Sequence, residues 1–180
     1  MNRFFYNFIK HLELFMEIKW ILNSRKIAKI KLLVFDIDGV LTNGKLLIND
    51  NGDITREFNV RDGLGIKLLQ ENNIIVAFIS GAEGNSTLKR AAMLGISNCL
   101  INIKNKQIAL RELQHKLNIL PSNTAFVGDD INDVVVKEDV SLLIGTKDCA
   151  PQFSINADLL LKSSGGMGIA REISDRILLN

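Results

Sequence analysis

The sequence is poor in residues on which several common chemistries depend. Its 180 residues include two cysteines, two histidines, one tryptophan and one tyrosine. Cys99 and Cys149 are too few for a disulfide framework and have no metal-ligand spacing, which favours a reducing, cytoplasmic setting. His11 and His115 stand beside no motif, so neither histidine-dependent nucleophilic catalysis nor a histidine-rich zinc site is expected.

Positive charge is scarce outside the N-terminal part of the chain. Residues 1–31 carry seven Lys/Arg against two Glu, whereas residues 32–180 carry 15 Lys/Arg against 18 Asp/Glu. A nucleic-acid surface needs clustered basic residues and stacking aromatics. The mildly acidic body and its few aromatic rings therefore give no support to nucleic-acid binding.

Residues 1–29 form a basic, apolar extension without a long uncharged run. Arg3, Lys10, Glu13, Glu17 and Lys19 interrupt every stretch near the ~20 apolar residues that a membrane crossing requires. Two interpretations remain open. The segment is either an amphipathic helix that lies on a membrane surface or a partner, or a poorly ordered extension.

Residues 30–180 alternate between strand and helix patterns, which predicts one α/β domain with a doubly wound, Rossmann-like and mainly parallel sheet. Predicted strands are 31–35, 74–79, 99–103, 124–127, 140–144 and 157–161, and predicted helices are 63–71, 81–94, 106–117 and 169–179. Segments 45–48 and 54–58 flank an Asn-Gly turn and predict a β-hairpin. This hairpin follows the first strand and is expected to act as a flap or an assembly surface.

Three predicted strands end in polar residues. Asp36 and Asp38 follow the first strand, Ser80 and Gly81 the second, and an acidic group the fourth. Ligands in open α/β sheets bind at such strand ends. Clustered carboxylates repel one another unless a cation lies among them, and oxygen ligands without nearby Cys or His favour Mg²⁺. The acidic group consists of Asp129, Asp130 and Asp133.

These residue types suit phosphoryl transfer. One carboxylate can attack phosphorus as a covalent nucleophile, and Asp38 can protonate the departing alcohol and later deprotonate water. Ser80 and the Gly81 N–H are placed to hold phosphate oxygens, and Lys106, which opens a helix, is the candidate cation.

Each of these residues also has a purely structural interpretation. Ser80 with Glu83 fits a helix capping box, and Lys106 fits a solvated helix lysine. Asp130 and Asp133 fit a solvated first helical turn.

Four segments in order resemble the signature motifs of the haloacid dehalogenase superfamily of phosphatases: 36–42 (DIDGVLT), 80–81 (SG), Lys106 and 128–133 (GDDIND). The hairpin, segment 58–65 (FNVRDGLG) and segment 165–172 (GGMGIARE) resemble its capless 3-deoxy-D-manno-octulosonate 8-phosphate phosphatases, over about residues 30–178. The resemblance implies a HAD-like domain without a cap.

The resemblance also implies roles for individual residues. Asp36 is the expected nucleophile, and Asp38 is the expected acid/base. Mg²⁺ is expected on the Asp36 carboxylate, the Asp38 backbone carbonyl and Asp129. Ser80 and Lys106 would stabilise the phosphoryl group, with Asp130 and Asp133 as supporting groups. Members of the subfamily form homotetramers in which neighbouring subunits help to close the site, a role that would fall here to the hairpin and the segment around Gly166.

Two positions depart from the subfamily pattern and leave the substrate open. Ala82 and Met167 stand where arginines are common. Arg61 is a candidate substrate contact, although a structural pair with Asp62 at the hairpin base is an equal alternative.

The expected function is hydrolysis of a phosphorylated keto-deoxy sugar acid in surface-polysaccharide synthesis. The alternatives are a phosphatase for nine-carbon sialic-type acid phosphates or another sugar phosphate, and a non-catalytic oligomerisation module associated with sugar cytidylyltransferases.

Overall fold

The central element of the computed structural model, which describes residues 3–178, is a strand buried on both faces. All four residues of this strand, Leu32–Phe35, are out of contact with solvent. A strand covered on both sides is typical of a parallel sheet between helical layers. The two layers divide its side chains, since Leu33 and Phe35 lie in one apolar cluster and Leu32 and Val34 in the other.

Six strands form one parallel sheet in the order β5-β4-β1-β6-β7-β8. They are β1 (Leu32–Phe35), β4 (Ile75–Ile79), β5 (Asn98–Leu100), β6 (Thr124–Gly128), β7 (Leu142–Gly145) and β8 (Leu159–Leu160). The chain reverses its direction of winding between β4 and β6, the two neighbours of β1. The prediction of a doubly wound α/β sheet is confirmed.

Eight α-helices are described within residues 3–178. They are α1 (Arg3–Leu22), α2 (Ser24–Ile27), α3 (Val60–Glu71), α4 (Asn85–Met93), α5 (Lys106–Leu117), α6 (Ile131–Val134), α7 (Pro151–Ser154) and α8 (Ile169–Leu178). Helices α3 and α8 contribute to one apolar cluster, and α5 contributes to the other. None of these helices is long and apolar enough to cross a membrane.

The predicted hairpin is present but shorter than the sequence pattern indicates. It consists of β2 (Leu47–Ile48) and β3 (Ile54–Thr55), which pair antiparallel outside the main sheet. Asn49 ties the turn, because its side-chain oxygen accepts hydrogen bonds from the backbone N–H groups of Asn51 and Asp53. Within residues 3–178 no cap domain is inserted after this hairpin.

The N-terminal extension contains a helix whose end packs on the domain. Trp20 is buried in the same cluster as the sheet, and its indole N–H donates to the Leu160 carbonyl. The Arg176 guanidinium of α8 lies 4.5 Å from the Trp20 ring centroid and contacts the Glu17 carboxylate with both terminal nitrogens. The part of the extension nearest the domain is therefore anchored by packing and charge.

Helices α3 and α8 pack closely at Gly65. A Cβ atom on Gly65 would lie 2.5 Å from the backbone carbonyl of Ala170, which cannot move without displacing α8. Gly63 lies two residues earlier in the same helix. A Cβ atom there would lie 3.0 Å from the flexible end of the Arg90 side chain and 3.2 Å from the Leu94 side chain. The two glycines therefore differ in what surrounds them.

This difference predicts that alanine at position 65 destabilises the protein more than alanine at position 63 does. Gly65→Ala should lower the free energy of unfolding by about 1 to 3 kcal/mol because the helices must separate. Gly63→Ala should have a smaller effect because the gain in helix propensity offsets the contact. Urea denaturation of both variants measures the difference, and equal losses would contradict this account of the helix contact.

Candidate active site

The polar ends of β1, β4 and β6 meet in one cleft of about 370 Å³ at the carboxyl edge of the sheet. The cleft lies where the order of the strands reverses, which is the usual ligand position in open α/β sheets. It is lined by Asp36, Asp38, Ser80, Gly81, Ala82, Lys106, Asp129, Asp130 and Asn132. The cleft therefore brings together all but two of the predicted site residues: Asp133 lies beneath it, and Arg61 lies elsewhere.

Lys106 lies between two carboxylates and joins them. Its Nζ is 2.9 Å from Asp36 Oδ1 and 2.5 Å from Asp133 Oδ1, and all three side chains are buried. Burial works against the charge on Lys106, but the two carboxylates outweigh it and raise the pKa of this lysine. A buried cation between acids is unlike a solvated helix lysine, so that structural interpretation of Lys106 is wrong.

Asp133 organises the cleft from below. One oxygen accepts from Lys106, and the other accepts from the Asp129 backbone N–H at 3.1 Å. A Cβ on Gly128 would lie 2.6 Å from the Asp133 side chain, so glycine at this position makes room for the carboxylate. Asp133 is fully buried and is not part of a solvated helical turn.

The carboxylates repel one another in the cleft. Burial, followed by the charge of Asp133, raises the pKa of Asp36 to about 7, although Lys106 opposes the shift. Burial, followed by the charges of Asp36 and Asp133, also raises the pKa of Asp129 to about 7. Carboxyl oxygens of Asp36, Asp129 and Asp133 lie within 4.8 Å of one another. Lys106 alone therefore leaves an excess of negative charge.

Gly39 allows Asp129 to approach the loop after β1. Its φ of +89° is in the left-handed region, and a Cβ there would lie 2.1 Å from Asp129 Oδ2. The glycine-rich segment 165–168 also contacts this loop, because the Gly166 N–H donates a hydrogen bond to the Val40 carbonyl. A Cβ on Gly165 would lie 2.1 Å from the Gly39 carbonyl oxygen. The glycines of this segment thus position the acidic loop.

Asp38 has a partner that the sequence analysis did not identify. The Arg56 Nε and Nη2 atoms donate to its two carboxylate oxygens at 2.8 and 3.0 Å. Arg56 follows β3, and its side chain is almost fully buried. The one sequence signal for this pairing is the place of Arg56 at the base of the hairpin, 18 residues from Asp38. The hairpin is therefore connected to the acidic loop through this bidentate ion pair.

Ser80 directly follows β4 and lines the cleft in an irregular turn. Its hydroxyl accepts from the Ala82 N–H at 3.2 Å, and α4 begins only at Asn85 with Gly84 as N-cap. Glu83 instead accepts from the Asn102 side chain at 2.7 Å. The capping-box interpretation of Ser80 and Glu83 is therefore wrong, because the helix starts too late for that pairing.

Comparison with known proteins identifies the family. No family model matches the chain. The 3-deoxy-D-manno-octulosonate 8-phosphate phosphatase KdsC of Escherichia coli is 40% identical over 154 residues, which are 86% of this chain and 82% of the relative. The same enzyme of Salmonella typhi is 41% identical with the same coverage. The chain belongs to the 3-deoxy-D-manno-octulosonate 8-phosphate phosphatase family.

Solved structures agree with this assignment to an octulosonate phosphatase family. The Yersinia pestis enzyme has a TM-score of 0.84 at 35% identity and covers 87% of this chain and 84% of its own. The Moraxella catarrhalis enzyme, in complex with magnesium ion, phosphate ion and KDO, has the same TM-score at 34% identity and covers 87% and 90%. A Legionella pneumophila hydrolase assigned to subfamily III A of the HAD superfamily has a TM-score of 0.87 at 34% identity and covers 92% and 91%.

The structure places Arg61, Met167 and Asp130 away from the buried centre of the octulosonate phosphatase site. Arg61 and Met167 lie outside the catalytic cleft and line a separate hollow between α1 and α8. Asp130 is exposed, and its side chain caps α6 by accepting from the Ile131 N–H. Within residues 3–178 no ion pair joins Asp62 to Arg61, and Asp62 instead accepts a hydrogen bond from the Ala170 N–H at the start of α8.

The donor set of this phosphatase site fits a hard divalent cation. Asp36 and Asp129 present carboxylate oxygens with raised pKa values, and no Cys or His lines the cleft among residues 3–178. Asp133 shares the cluster, but both of its oxygens already accept hydrogen bonds from Lys106 and Asp129. Asp36 and Asp129 are therefore the side chains best placed to hold a metal ion.

The raised pKa values predict how the stability of the metal-free protein depends on pH. Between the ordinary aspartate pKa of 3.8 and about 7, the folded protein binds more protons at Asp129 than the unfolded chain does. The free energy of unfolding therefore falls as pH rises through this window. In the presence of a metal chelator, the melting temperature of the Asp129→Asn variant should fall less steeply than that of the parent protein between about pH 4 and about pH 7, because an amide does not ionise.

The matched control is Asp175→Asn on α8, where the carboxylate is partly exposed and pairs with Arg171. This variant should keep the slope of the parent protein. Identical slopes in the parent protein and Asp129→Asn would contradict the predicted charge excess.

Proposed function

We propose that the protein is a Mg²⁺-dependent phosphomonoesterase that hydrolyses 3-deoxy-D-manno-octulosonate 8-phosphate through an aspartyl-phosphate intermediate. The observation that carries this proposal is the juxtaposition of Asp36, Lys106 and Asp129 in one cleft. Membership in the phosphatase family and the magnesium, phosphate and KDO in the Moraxella catarrhalis structure support the reaction and its substrate class.

Each step of the proposed reaction uses a residue that lines the cleft. An Asp36 carboxylate oxygen attacks phosphorus, and the bond from phosphorus to the sugar oxygen breaks. Asp38 gives its proton to that leaving oxygen. In the second step Asp38 accepts a proton from water as the water oxygen attacks the aspartyl phosphate, which releases inorganic phosphate and restores Asp36.

The remaining groups stabilise the transferred phosphoryl group. Lys106, the Ser80 hydroxyl and the Gly81 N–H supply positive charge and donors for its oxygens. Asp36, Asp129 and the Asp38 backbone carbonyl would hold Mg²⁺, which supplies charge neutralisation for the acids and the phosphate. Asp133 keeps Lys106 in place, whereas the exposed Asp130 acts chiefly as a helix cap.

A phosphate-release assay tests this function. With Mg²⁺, the protein should hydrolyse the eight-carbon acid phosphate, and Asp36→Asn should lower kcat by more than about a thousandfold because the nucleophile is lost. Asp175→Asn, remote from the cleft, should retain the parent activity. A protein that releases no phosphate from any of a panel of sugar phosphates would instead favour the non-catalytic oligomerisation module.

The same panel distinguishes the two substrate classes. The alternative substrate is a nine-carbon sialic-type acid 9-phosphate, which Ala82 and Met167 leave open because neither supplies the arginine common in the octulosonate subfamily. We expect a higher kcat/KM for the eight-carbon substrate. A preference for the nine-carbon substrate would keep the mechanism and reject the substrate.

We also propose a homotetramer assembled through the hairpin, in the cytoplasm. Leu46, Leu47, Ile48 and Ile54 are exposed on this two-stranded element, which has too few strands to be stable alone. Both cysteines are free, as expected in a reducing compartment. Light scattering should give the mass of four chains, and Leu47→Asp with Ile48→Asp should reduce it. A monomeric parent protein would reject the assembly.

A further inference from the structure

The N-terminus of α4 lacks the groups that normally satisfy a helix start. Its N-cap is Gly84, which has no side chain, and its first turn contains no acidic residue. The Ser86 hydroxyl in that turn is buried and has no hydrogen-bond partner within residues 3–178. A helix start carries free N–H groups and a partial positive charge. An acceptor is missing at this end of the helix.

Arg56 brings a second unsatisfied donor to the same place. Two of its nitrogens bind Asp38, but the third, Nη1, is buried without an acceptor among the described residues. The residue is 6% exposed. A Cβ atom on Gly84 would lie 2.3 Å from Nη1 and 3.7 Å from the Ser86 hydroxyl oxygen. Both orphan donors therefore converge on the N-cap of α4.

This arrangement is electrostatically unfavourable by itself. A guanidinium faces the positive end of a helix, and two buried donors have no acceptor among the described residues, which costs the desolvation free energy of each donor. Asp38 neutralises only the other side of Arg56. An anion beside Gly84 would satisfy the Nη1 atom, the Ser86 hydroxyl and the start of the helix together.

A groove adjoins this corner, and its lining begins in sequence at the residue after the last cleft residue of the β4–α4 turn. It has a volume of about 790 Å³ and separates the hairpin turn from α4. Ala82 lines the catalytic cleft, whereas the next residue, Glu83, lines the groove. The groove is also lined by Asp53, Gly84, Ser86, Lys89 and Asn102.

Each of the two acids of the groove accepts a hydrogen bond from a neutral side-chain amide. Glu83 accepts a hydrogen bond from Asn102, and Asp53 accepts one from the Asn49 side chain. Lys89 adds an exposed positive charge on the α4 side. Lys89, the one cation among the residues that line the groove, therefore lies on the α4 side, on the same helix as Ser86.

We propose that the corner formed by Arg56, Gly84 and Ser86 binds the carboxylate of the acidic sugar phosphate. This inference rests on the proposed function for the position of the phosphate. The carboxylate accepts from Arg56 Nη1, the Ser86 hydroxyl and the start of α4. The corner thereby replaces the donor to the carboxylate that Ala82 cannot supply. Both side-chain donors lie just beneath the Glu83–Gly84 turn, so this turn shifts when the carboxylate enters.

Substrates with and without a carboxylate test the site. Ser86→Ala should raise KM for 3-deoxy-D-manno-octulosonate 8-phosphate about tenfold, because a hydrogen bond to a charged group is lost, with little change in kcat. KM for arabinose 5-phosphate, which has no carboxylate, should not change. Arg56→Lys should raise KM for the acid substrate in the same way and should lower kcat for both substrates, because the bidentate hold on Asp38 is lost.

Ser122→Ala, an exposed serine before β6, is the matched control and should change neither constant. Equal effects of Ser86→Ala on both substrates, or none on either, would overturn the carboxylate site while leaving the phosphatase intact.

A second measurement keeps the test independent of turnover. Calorimetric titration with 3-deoxy-D-manno-octulosonate, which has the carboxylate but no phosphate, should show binding that Ser86→Ala weakens about tenfold. Unchanged affinity in the variant, or no binding to the parent protein, would reject the site. Failure of the proposed function would appear separately, as absence of phosphate release.

Discussion

The Lys106 ammonium between the Asp36 and Asp133 carboxylates is the contact on which the rest of the site depends. The parallel sheet brings acids from β1 and β6 to one edge, where burial makes their charges costly. Lys106 offsets part of that cost, and Asp133 fixes the lysine and the Asp129 backbone. What remains is a negatively charged site whose acids fit a divalent cation. The closely packed glycines at Gly39 and Gly128 follow from the same crowding, because any side chain there would push the acids apart.

Arg56 connects three parts of the molecule that are separate in sequence. Its bidentate contact holds Asp38, its position follows the hairpin, and its third nitrogen reaches the start of α4. The hairpin carries exposed apolar residues and is proposed as the assembly surface. Assembly and substrate recognition would therefore act on the proposed acid/base through one buried side chain. The same arginine compensates for the cation missing at Ala82 if the carboxylate binds at Gly84.

Local sequence patterns predict most of the strands and helices of the fold, but they predict only part of the candidate site. Buried apolar runs such as Leu32–Phe35 predict strands, and Lys106–Leu117 forms the helix its pattern indicates, because neighbouring residues alone decide these elements. Asp36, Asp38, Ser80 and Asp129 could be predicted because strand ends of a parallel sheet meet at one edge, and Lys106 because it opens the helix after the third strand and matches the family motif. The Arg56–Asp38 pair was missed because no local pattern specifies which side chain a hairpin arginine will contact. The separation of Arg61 from the cleft likewise depends on how α3 packs against its neighbours, which periodicity does not encode.

Chemical trapping of the phosphoryl group tests the central claim most directly. The protein is mixed briefly with substrate that is radiolabelled in its phosphoryl group, and the reaction is quenched with acid. The protein should then carry a labelled phosphoryl group that is stable in acid and is released by hydroxylamine. The label should be confined to the peptide that contains Asp36. The Asp36→Asn variant should acquire no label. Any label that the Asp38→Asn variant acquires should be on the same peptide as in the parent protein. Label on Asp129, or a parent protein that turns over substrate without ever acquiring label, would contradict Asp36 as the nucleophile in this cleft.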